Sequence, residues 1–494
     1  MTTSEPTQNL AGPDAGVAVR AAQPLASRLA GSHVLVLNWR DVRHPQAGGA
    51  EQYMHQIARR WVEAGVRVTW FCARPTTLAA QETIDGIEIV RFGGELSLYA
   101  RAAARLARTR GRYDAIVDCQ NGIPFFSPAV AGALPVIQVV HHVHQDQFAT
   151  RFSAPLAALG RTLEGRVARR VYGPRMIAAV SPSTRQELRR RLGFRGPISV
   201  VPNGTAPVTE TPMPRDPDPT IAVVSRLVPH KRIDVLLRQV AVAAASVPRL
   251  RVDIVGDGPE RPRLEALVCE LGLQETVTLH GYQPDAVRDD LLARAWLTTS
   301  TSDAEGWGCS VIESAARGLP CVALDAAGIR DSVVDGHTGR LVRSAEEFGD
   351  ALVATLRELA DDTRAAEVEV ACRAWAACFT WDRSAELLAG VLLAEMRASR
   401  PGRPRDRRGA RSDLGTLARF RAPAGLDLRA ALRTTDEIVT EGGDVTVLLT
   451  GCDEVDATAV LTRLGVTPDS LRLAARHDLL AGPGRTAPRA RVAV

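Results

Sequence analysis

Ser302-Asp-Ala-Glu-Gly-Trp-Gly-Cys-Ser-Val-Ile-Glu-Ser-Ala-Ala-Arg-Gly-Leu-Pro320 reads as a loop running into a helix. An apolar run, Ala295 to Leu297, precedes it and reads as a buried strand, while Gly318 and Pro320 close the helix. From Val311 the apolar positions are 311, 312, 315, 316 and 319, one stripe of a helix. Glu313 lies about 130° from the centre of that stripe at 100° per residue, outside the core. Glu305 comes earlier, in a loop spaced by Gly306 and Gly308. Two carboxylates thus flank a helix N-terminus whose free N–H groups and dipole suit an anion. The glycines would let a ligand approach the backbone. A carboxylate also accepts paired hydrogen bonds from vicinal hydroxyls. The combination fits a molecule with hydroxyls at both ends and phosphates between them, which is the layout of a nucleotide-sugar. Two solvated helix glutamates would have the same spacing, but the loop glycines and the strand–loop–helix context favour the ligand.

Glu-x7-Glu followed by Ala-x-Gly-x-Pro resembles the donor-site signature of retaining glycosyltransferases of the family-4 type. The resemblance spans about residues 33–398. It implies an α/β fold with two Rossmann-like domains facing each other across a cleft (GT-B). It also implies that Glu305 holds the sugar hydroxyls and Glu313 the ribose, with Gly306, Gly308, Cys309 and Ser310 lining the donor.

Upstream, Thr220–Ser225 reads as a strand leading to Arg226-Leu-Val-Pro-His-Lys231 and then a helix. Two cations at a strand's carboxyl end, beside a helix start, make an anion site. Lys231 is the only lysine among 61 basic residues, which invites a role for a compact ammonium. Arg226 and Lys231 resemble the family's Arg-x4-Lys pair, which neutralises the donor diphosphate. Ser225 and Arg232 depart from glycines common at those positions, which touches loop detail and not charge. Gly256, in Val255-Gly-Asp-Gly-Pro259, falls in a segment that lies near the nucleotide in relatives.

In the first half, strand His33–Asn38, a loop ending in Gly48-Gly49, an amphipathic helix and strand Val66–Phe71 form a βαβ unit. No G-x-G-x-x-G dinucleotide fingerprint is present. By resemblance Gly48 and Gly49 form a glycine loop near the donor diphosphate. Strand Pro135–Val140 ends in His141-His-Val-His144. Histidines 141 and 144 could ligate a metal, but no carboxylate set accompanies them. Of these two readings, a structural role at a strand end is the stronger. The family resemblance selects His141 for the donor sugar and reaction centre, with His142 and His144 on the acceptor side. Between Arg151 and Arg175, Phe152, Leu156, Leu159, Leu163 and Val167 alternate with six arginines. A solvated helix face is the simpler reading, and peripheral contact with an anionic membrane is the alternative.

A chain of 494 residues, 45% apolar and 24% charged, is a soluble profile with two or three domains. No apolar run reaches transmembrane length and no signal-peptide pattern opens it. Eight scattered cysteines read as reduced thiols in a cytoplasmic protein, peripheral on the inner membrane face in the alternative above. A dispersed net charge of +5 argues against a nucleic-acid partner. The expected layout is a disordered tail at 1–31, an acceptor domain at 32–207 and a linker at 208–219. A donor domain at 220–380 and a helix at 381–400 packing back on the first domain follow. Residues 401–494 form a basic linker and an extension of open character, either a small module or a loose tail. The expected activity is retaining transfer from a nucleotide-sugar to a glycan, lipid-linked or small-molecule acceptor. No metal and no cofactor are needed, because protein cations hold the diphosphate and the nucleotide-sugar is a substrate. An epimerase of the same fold and a non-catalytic sugar-nucleotide-binding or scaffold protein are the rival readings. Glycoside hydrolysis would not need the cationic pair.

Overall fold

The computed structural model describes residues 24–208, 213–399 and most of 414–475. Its first sheet contains β1 (His33–Leu37), β2 (Arg67–Cys72), β3 (Gln81–Ile84), β4 (Ile87–Arg91), β5 (Ala115–Gln120), β6 (Val136–Val140), β7 (Ile177–Ala179) and β8 (Ile198–Val200). The order is β3-β4-β2-β1-β5-β6-β7-β8, parallel throughout except for β3 against β4. A parallel strand is buried on both faces, so it reads as an unbroken apolar run. In β1, Val34 and Val36 join Ile57 and Trp61 on one side, while Leu35 and Leu37 join Leu98 and Leu106 on the other. Helix Gly49–Glu63 buries Tyr53, Met54, Ile57, Ala58 and Trp61, one 3.6-period stripe.

The second sheet joins β9 (Thr220–Val224), β10 (Arg251–Val255), β11 (Val277–Gly281), β12 (Thr298–Ser300), β13 (Cys321–Leu324) and β14 (Gly339–Val342). Two parallel three-stranded ladders, β11-β10-β9 and β12-β13-β14, meet where Leu297 bridges Ile221. The run expected as a strand at 295–297 therefore makes the seam, and the ladder itself begins at Thr298. In both sheets a strand lies between neighbours that continue in opposite directions, β1 between β2 and β5 and β9 between β10 and β12. Crevices at such switch points take ligands in open parallel sheets.

Helix Trp381–Ala398 packs back on the first domain. The Trp61 indole donates to the Ala385 carbonyl (3.0 Å), Ser384 Oγ to Pro202 O (2.7 Å), and buried Arg175 pairs with Glu395 (2.9 Å). The same helix corrects part of the expected N-terminal tail. Residues 24–31 are folded: Glu386 accepts the backbone N–H groups of Leu25 (2.5 Å) and Ala26 (3.1 Å), and Leu29 is fully buried. The rest of the expected tail, residues 1–23, and the basic segment 401–411 lie outside the described residues. Residues 213–219 are pinned to the second domain, with Trp296 Nε1 donating to Asp216 O (2.8 Å) and Arg215 paired with Asp362 (3.1 Å).

The C-terminal extension contains β15 (Leu414–Arg421), β16 (Glu437–Glu441), β17 (Asp444–Thr450) and β18 (Ser470–Ala475). The strands are antiparallel in the order β16-β17-β15-β18, with a short helix after β15 and helix Glu454–Arg463 after β17. This is the β-α-β-β-α-β split pattern. Ala418, Phe420, Val445, Val447, Leu449, Ala457 and Leu461 give it its own core, so the extension is a small module. Helix Trp381–Ala398 lies against β15 and β18 and connects it to the body.

Candidate active site

At the second switch point Lys231 ends a single turn, Pro229–Lys231, just before helix Ile233–Ala244. Its ammonium donates to the Glu305 carboxylate, so residues 74 apart in sequence meet in a half-buried ion pair. The turn is fixed by the Thr301 hydroxyl, which donates to the carbonyls of Lys231 (3.1 Å) and Arg232 (2.9 Å). Arg232 is left-handed (φ 49°), the conformation for which glycine is the cheap residue, and its guanidinium is tied to Asp303 (3.0 Å). Arg226 leaves the carboxyl end of β9 exposed, with no ion-pair partner among the described residues.

The glycines of these loops have a packing reason. A Cβ on Gly306 would overlap the His141 carbonyl oxygen, and one on Gly308 the Ser332 hydroxyl. Gly306 thus marks where the donor-side loop touches the first domain, whereas its sequence context suggested only room for a ligand. Gly256 (φ 137°) is pressed against the Ser225 carbonyl, which locks the loop after β10 against the one carrying Arg226. Gly328 is likewise pressed on the Glu305 carbonyl, while Glu305 N–H donates to Ala327 O (2.9 Å).

Helix Cys309–Ala316 starts at Gly308 with no side-chain cap and no acid in its first turn, so its dipole end is uncompensated by the protein. Ser310 is half-buried in that first turn. Cys309 faces the first domain: Asn203 Nδ2 donates to its sulfur (3.2 Å), and a Cβ on Gly49 would lie 3.9 Å from it. Burial, with Glu313 and Glu305 nearby, pushes its thiol up to about 12, so it stays protonated. Burial also raises the Glu313 carboxyl, against the opposing fields of Arg288 and Arg317.

On the first domain His141 is nearly enclosed, its ring edge-on to Tyr53 (5.0 Å between centroids), and its Nε2 has no hydrogen-bond partner. Burial lowers it to about 3, with a smaller push from His144, so it is a neutral imidazole at pH 7. His142 is also lowered to about 3 by burial, and its Nδ1 has no partner either. His144 turns away: its Nδ1 faces the His142 carbonyl (3.0 Å), and its N–H donates to Glu164 (2.7 Å). Among the described residues no group of three or more His, Cys, Asp or Glu could hold a metal ion.

Several polar residues here carry no conspicuous motif. Glu51 closes the glycine loop by accepting the Gly48 N–H (2.8 Å), and Asn121 donates to Asn38 (2.9 Å) and reaches Glu51 (3.5 Å). Asn38 Nδ2 has no partner, and burial raises the Glu51 carboxyl. A glycine followed three residues later by glutamate at a helix start is a capping signal that could have selected Glu51. The asparagines are joined only by the sheet.

Two family profiles match the chain: Glycosyltransferase Family 4 over residues 47–209 and Glycosyl transferases group 1 over residues 211–371. A GDP-mannose-dependent alpha-(1-6)-phosphatidylinositol monomannoside mannosyltransferase of Mycolicibacterium smegmatis is 30% identical over 380 residues, 70% of this chain and 89% of that protein. A D-inositol 3-phosphate glycosyltransferase of Nocardia farcinica is 35% identical over 231 residues, 43% of this chain and 51% of that protein. Among solved structures, a sucrose-phosphate synthase of Thermosynechococcus elongatus superposes with a TM-score of 0.61 at 20% identity, covering 75% of this chain and 100% of that one.

Proposed function

The chain belongs to the group 1, family 4 glycosyltransferases, and from that premise we propose how its residues divide the work and what acceptor it serves. The enzyme is a retaining glycosyltransferase that uses a nucleotide-sugar. In our reading the donor diphosphate lies between Arg226, Lys231 and the N-terminus of helix Cys309–Ala316. As the glycosidic bond breaks, negative charge gathers on the leaving diphosphate. Two fixed cations and a helix dipole are already aimed at it, an electrostatic term that commonly dominates catalysis. Lys231 exchanges Glu305 for the diphosphate, which frees Glu305 to accept sugar hydroxyls. Glu313 takes the ribose. Neutral His141 offers Nε2 to the sugar and the incoming acceptor hydroxyl.

The acceptor we propose is a lipid-linked polyol with an anionic headgroup, bound in the first-domain crevice of Asn38, Glu51 and Asn121. Phe152, Leu156 and Leu159 stand 42%, 55% and 53% exposed. On the same helical run Arg161, Arg166, Arg169 and Arg170 form no ion pair among the described residues. An exposed apolar row flanked by free cations suits an anionic bilayer surface. No helix among the described residues is long and apolar enough to cross a membrane.

The convergence of Lys231, Arg226 and Glu305 on one switch point carries the donor reading. It is tested by thermal stabilisation with nucleoside diphosphates and their sugars, wild type against Lys231→Ala. A ligand at 100 times its dissociation constant adds about 2.7 kcal/mol. A gain confined to one base and lost in the variant supports the site; no gain with any nucleotide overturns it. Sedimentation with anionic and with neutral vesicles tests the acceptor surface, and equal binding to both removes the anionic-headgroup reading.

A further inference from the structure

We propose that Glu164 is a positioning residue of the transfer reaction, a buried carboxylate that fixes the 141–145 segment against the donor loop. The proposal rests on the reading of His141 as part of the transfer centre. Glu164 is fully buried, and the donors bonded to it are a backbone N–H and two side-chain amides. It accepts the His144 backbone N–H (2.7 Å), Gln145 Nε2 (2.6 Å) and Gln120 Nε2 (3.2 Å), and His144 Nδ1 lies 3.5 Å away. Gln120 in turn accepts from Gln138 Nε2 (2.6 Å). The chain of bonds therefore runs from two neighbouring strands, β5 and β6, through one carboxylate into the segment that follows β6.

The helix supplying Glu164 is built unusually at that point. The run from Ala154 to Tyr172 is α-helical except at Leu163–Val167, a single π-turn. Such a turn holds one extra residue and re-aims its side chains, and π-turns recur at functional sites. A buried carboxylate bonded to amide and backbone donors is a poor stabiliser, because desolvation offsets most of what the hydrogen bonds return. What it does supply is fixed geometry. His141, whose carbonyl is packed on Gly306, and His142 stand between the β6 anchor and the His144–Gln145 anchor. Releasing the second anchor lets the imidazoles and the seat of Gly306 drift. A misplacement of about 1 Å is worth about 10²-fold in rate.

The test compares Glu164→Ala, Glu164→Gln and the double variant Glu164→Gln/Gln145→Glu in the full chain. Measured are kcat, donor KM, donor hydrolysis per transfer, and amide exchange of a peptide spanning 142–147. In Glu164→Gln the oxygen that accepts from Gln145 Nε2 becomes an NH2 group, so Gln145 must turn over and give up the bond its Nε2 also donates to the Arg161 carbonyl (3.2 Å); the double variant restores the donor–acceptor pair between 164 and 145 without that second bond. Expected are a kcat loss of about 10²-fold for Glu164→Ala with donor KM within about twofold, more hydrolysis per transfer and faster exchange at 142–147. The double variant is expected to recover part of the loss seen in Glu164→Gln, since a glutamate at 145 cannot donate to the Arg161 carbonyl. Unchanged kcat, a loss that only follows the unfolded fraction, or no recovery in the double variant overturns the proposal. If Glu164→Ala does not fold, the two glutamine variants decide alone. A wild type that turns over no nucleotide-sugar refutes the transferase roles instead, and the exchange at 142–147 still decides the anchoring.

Discussion

The two switch-point crevices are built alike and charged differently. In the first domain a glycine loop enters helix Gly49–Glu63, but Glu51 bends back onto the Gly48 N–H. That helix start carries its own carboxylate, while its glycines resemble a loop near the donor diphosphate. In the second domain helix Cys309–Ala316 has neither cap nor acid in its first turn, and Arg226 and Lys231 stand beside the same switch point. One crevice presents amides and a carboxyl, the chemistry of hydroxyl recognition. The other presents cations and a free dipole, the chemistry of anions. Fold alone does not distinguish them; the side chains do, Glu51 at one helix start and Arg226 with Lys231 beside the other.

Changes that break this contrast range from large to small. Gly256→Ala forces a Cβ into the Ser225 carbonyl at φ 137°. It should cost about 3–5 kcal/mol by chemical denaturation, since the native conformation is closed to alanine. A loss below about 1 kcal/mol would mean the two loops are free to part. Lys231→Ala removes the compact cation from the cationic crevice and should lower kcat/KM by about 10²–10³-fold. Lys231→Arg should recover little, because a planar fork does not substitute for a point charge in a tight turn.

The third change is in pH. His141 and His142 titrate near 6.5 when unfolded and about 3 when folded. Between those values the unfolded state binds more protons, so stability is full above about 6.5 and falls as pH falls. Each histidine should account for about 2 kcal/mol between pH 6.5 and 5. Unfolding at both pH values checks this, with His142→Asn expected to flatten the dependence. Asn121→Ala, in the crevice proposed for the acceptor, should raise acceptor KM about tenfold with donor KM unchanged; an equal change in both would erase the division between crevices. Arg232→Gly relieves a left-handed residue but loses the Asp303 pair, so thermal unfolding should register less than about 1 kcal/mol either way.

Residues that work through local spacing were legible in the sequence. Arg226 and Lys231 sit at a strand end and before a helix start, Glu305 in the loop before a helix and Glu313 within it, where hydrophobic period and glycine punctuation give position within a residue or two. The extension stayed open between a module and a loose tail, because register across β15, β16, β17 and β18 is set by nonlocal packing. Residues 24–31 looked like tail because their alanines and serine carry no period. The Glu386 carboxylate, 360 residues away, and the core that buries Leu29 give them a reason to order.

The sequence by itself determined the two parallel sheets, the cationic pair and the carboxylates, since each depends on neighbours within one strand–loop–helix unit. The tertiary structure alone decided three things. It joined Lys231 to Glu305, set Gly306 against the His141 carbonyl, and placed Asn38, Glu51 and Asn121 in one crevice. Those groups lie tens to more than a hundred residues apart. Their meeting follows from strand order and domain closure, which leave no periodic trace in the chain.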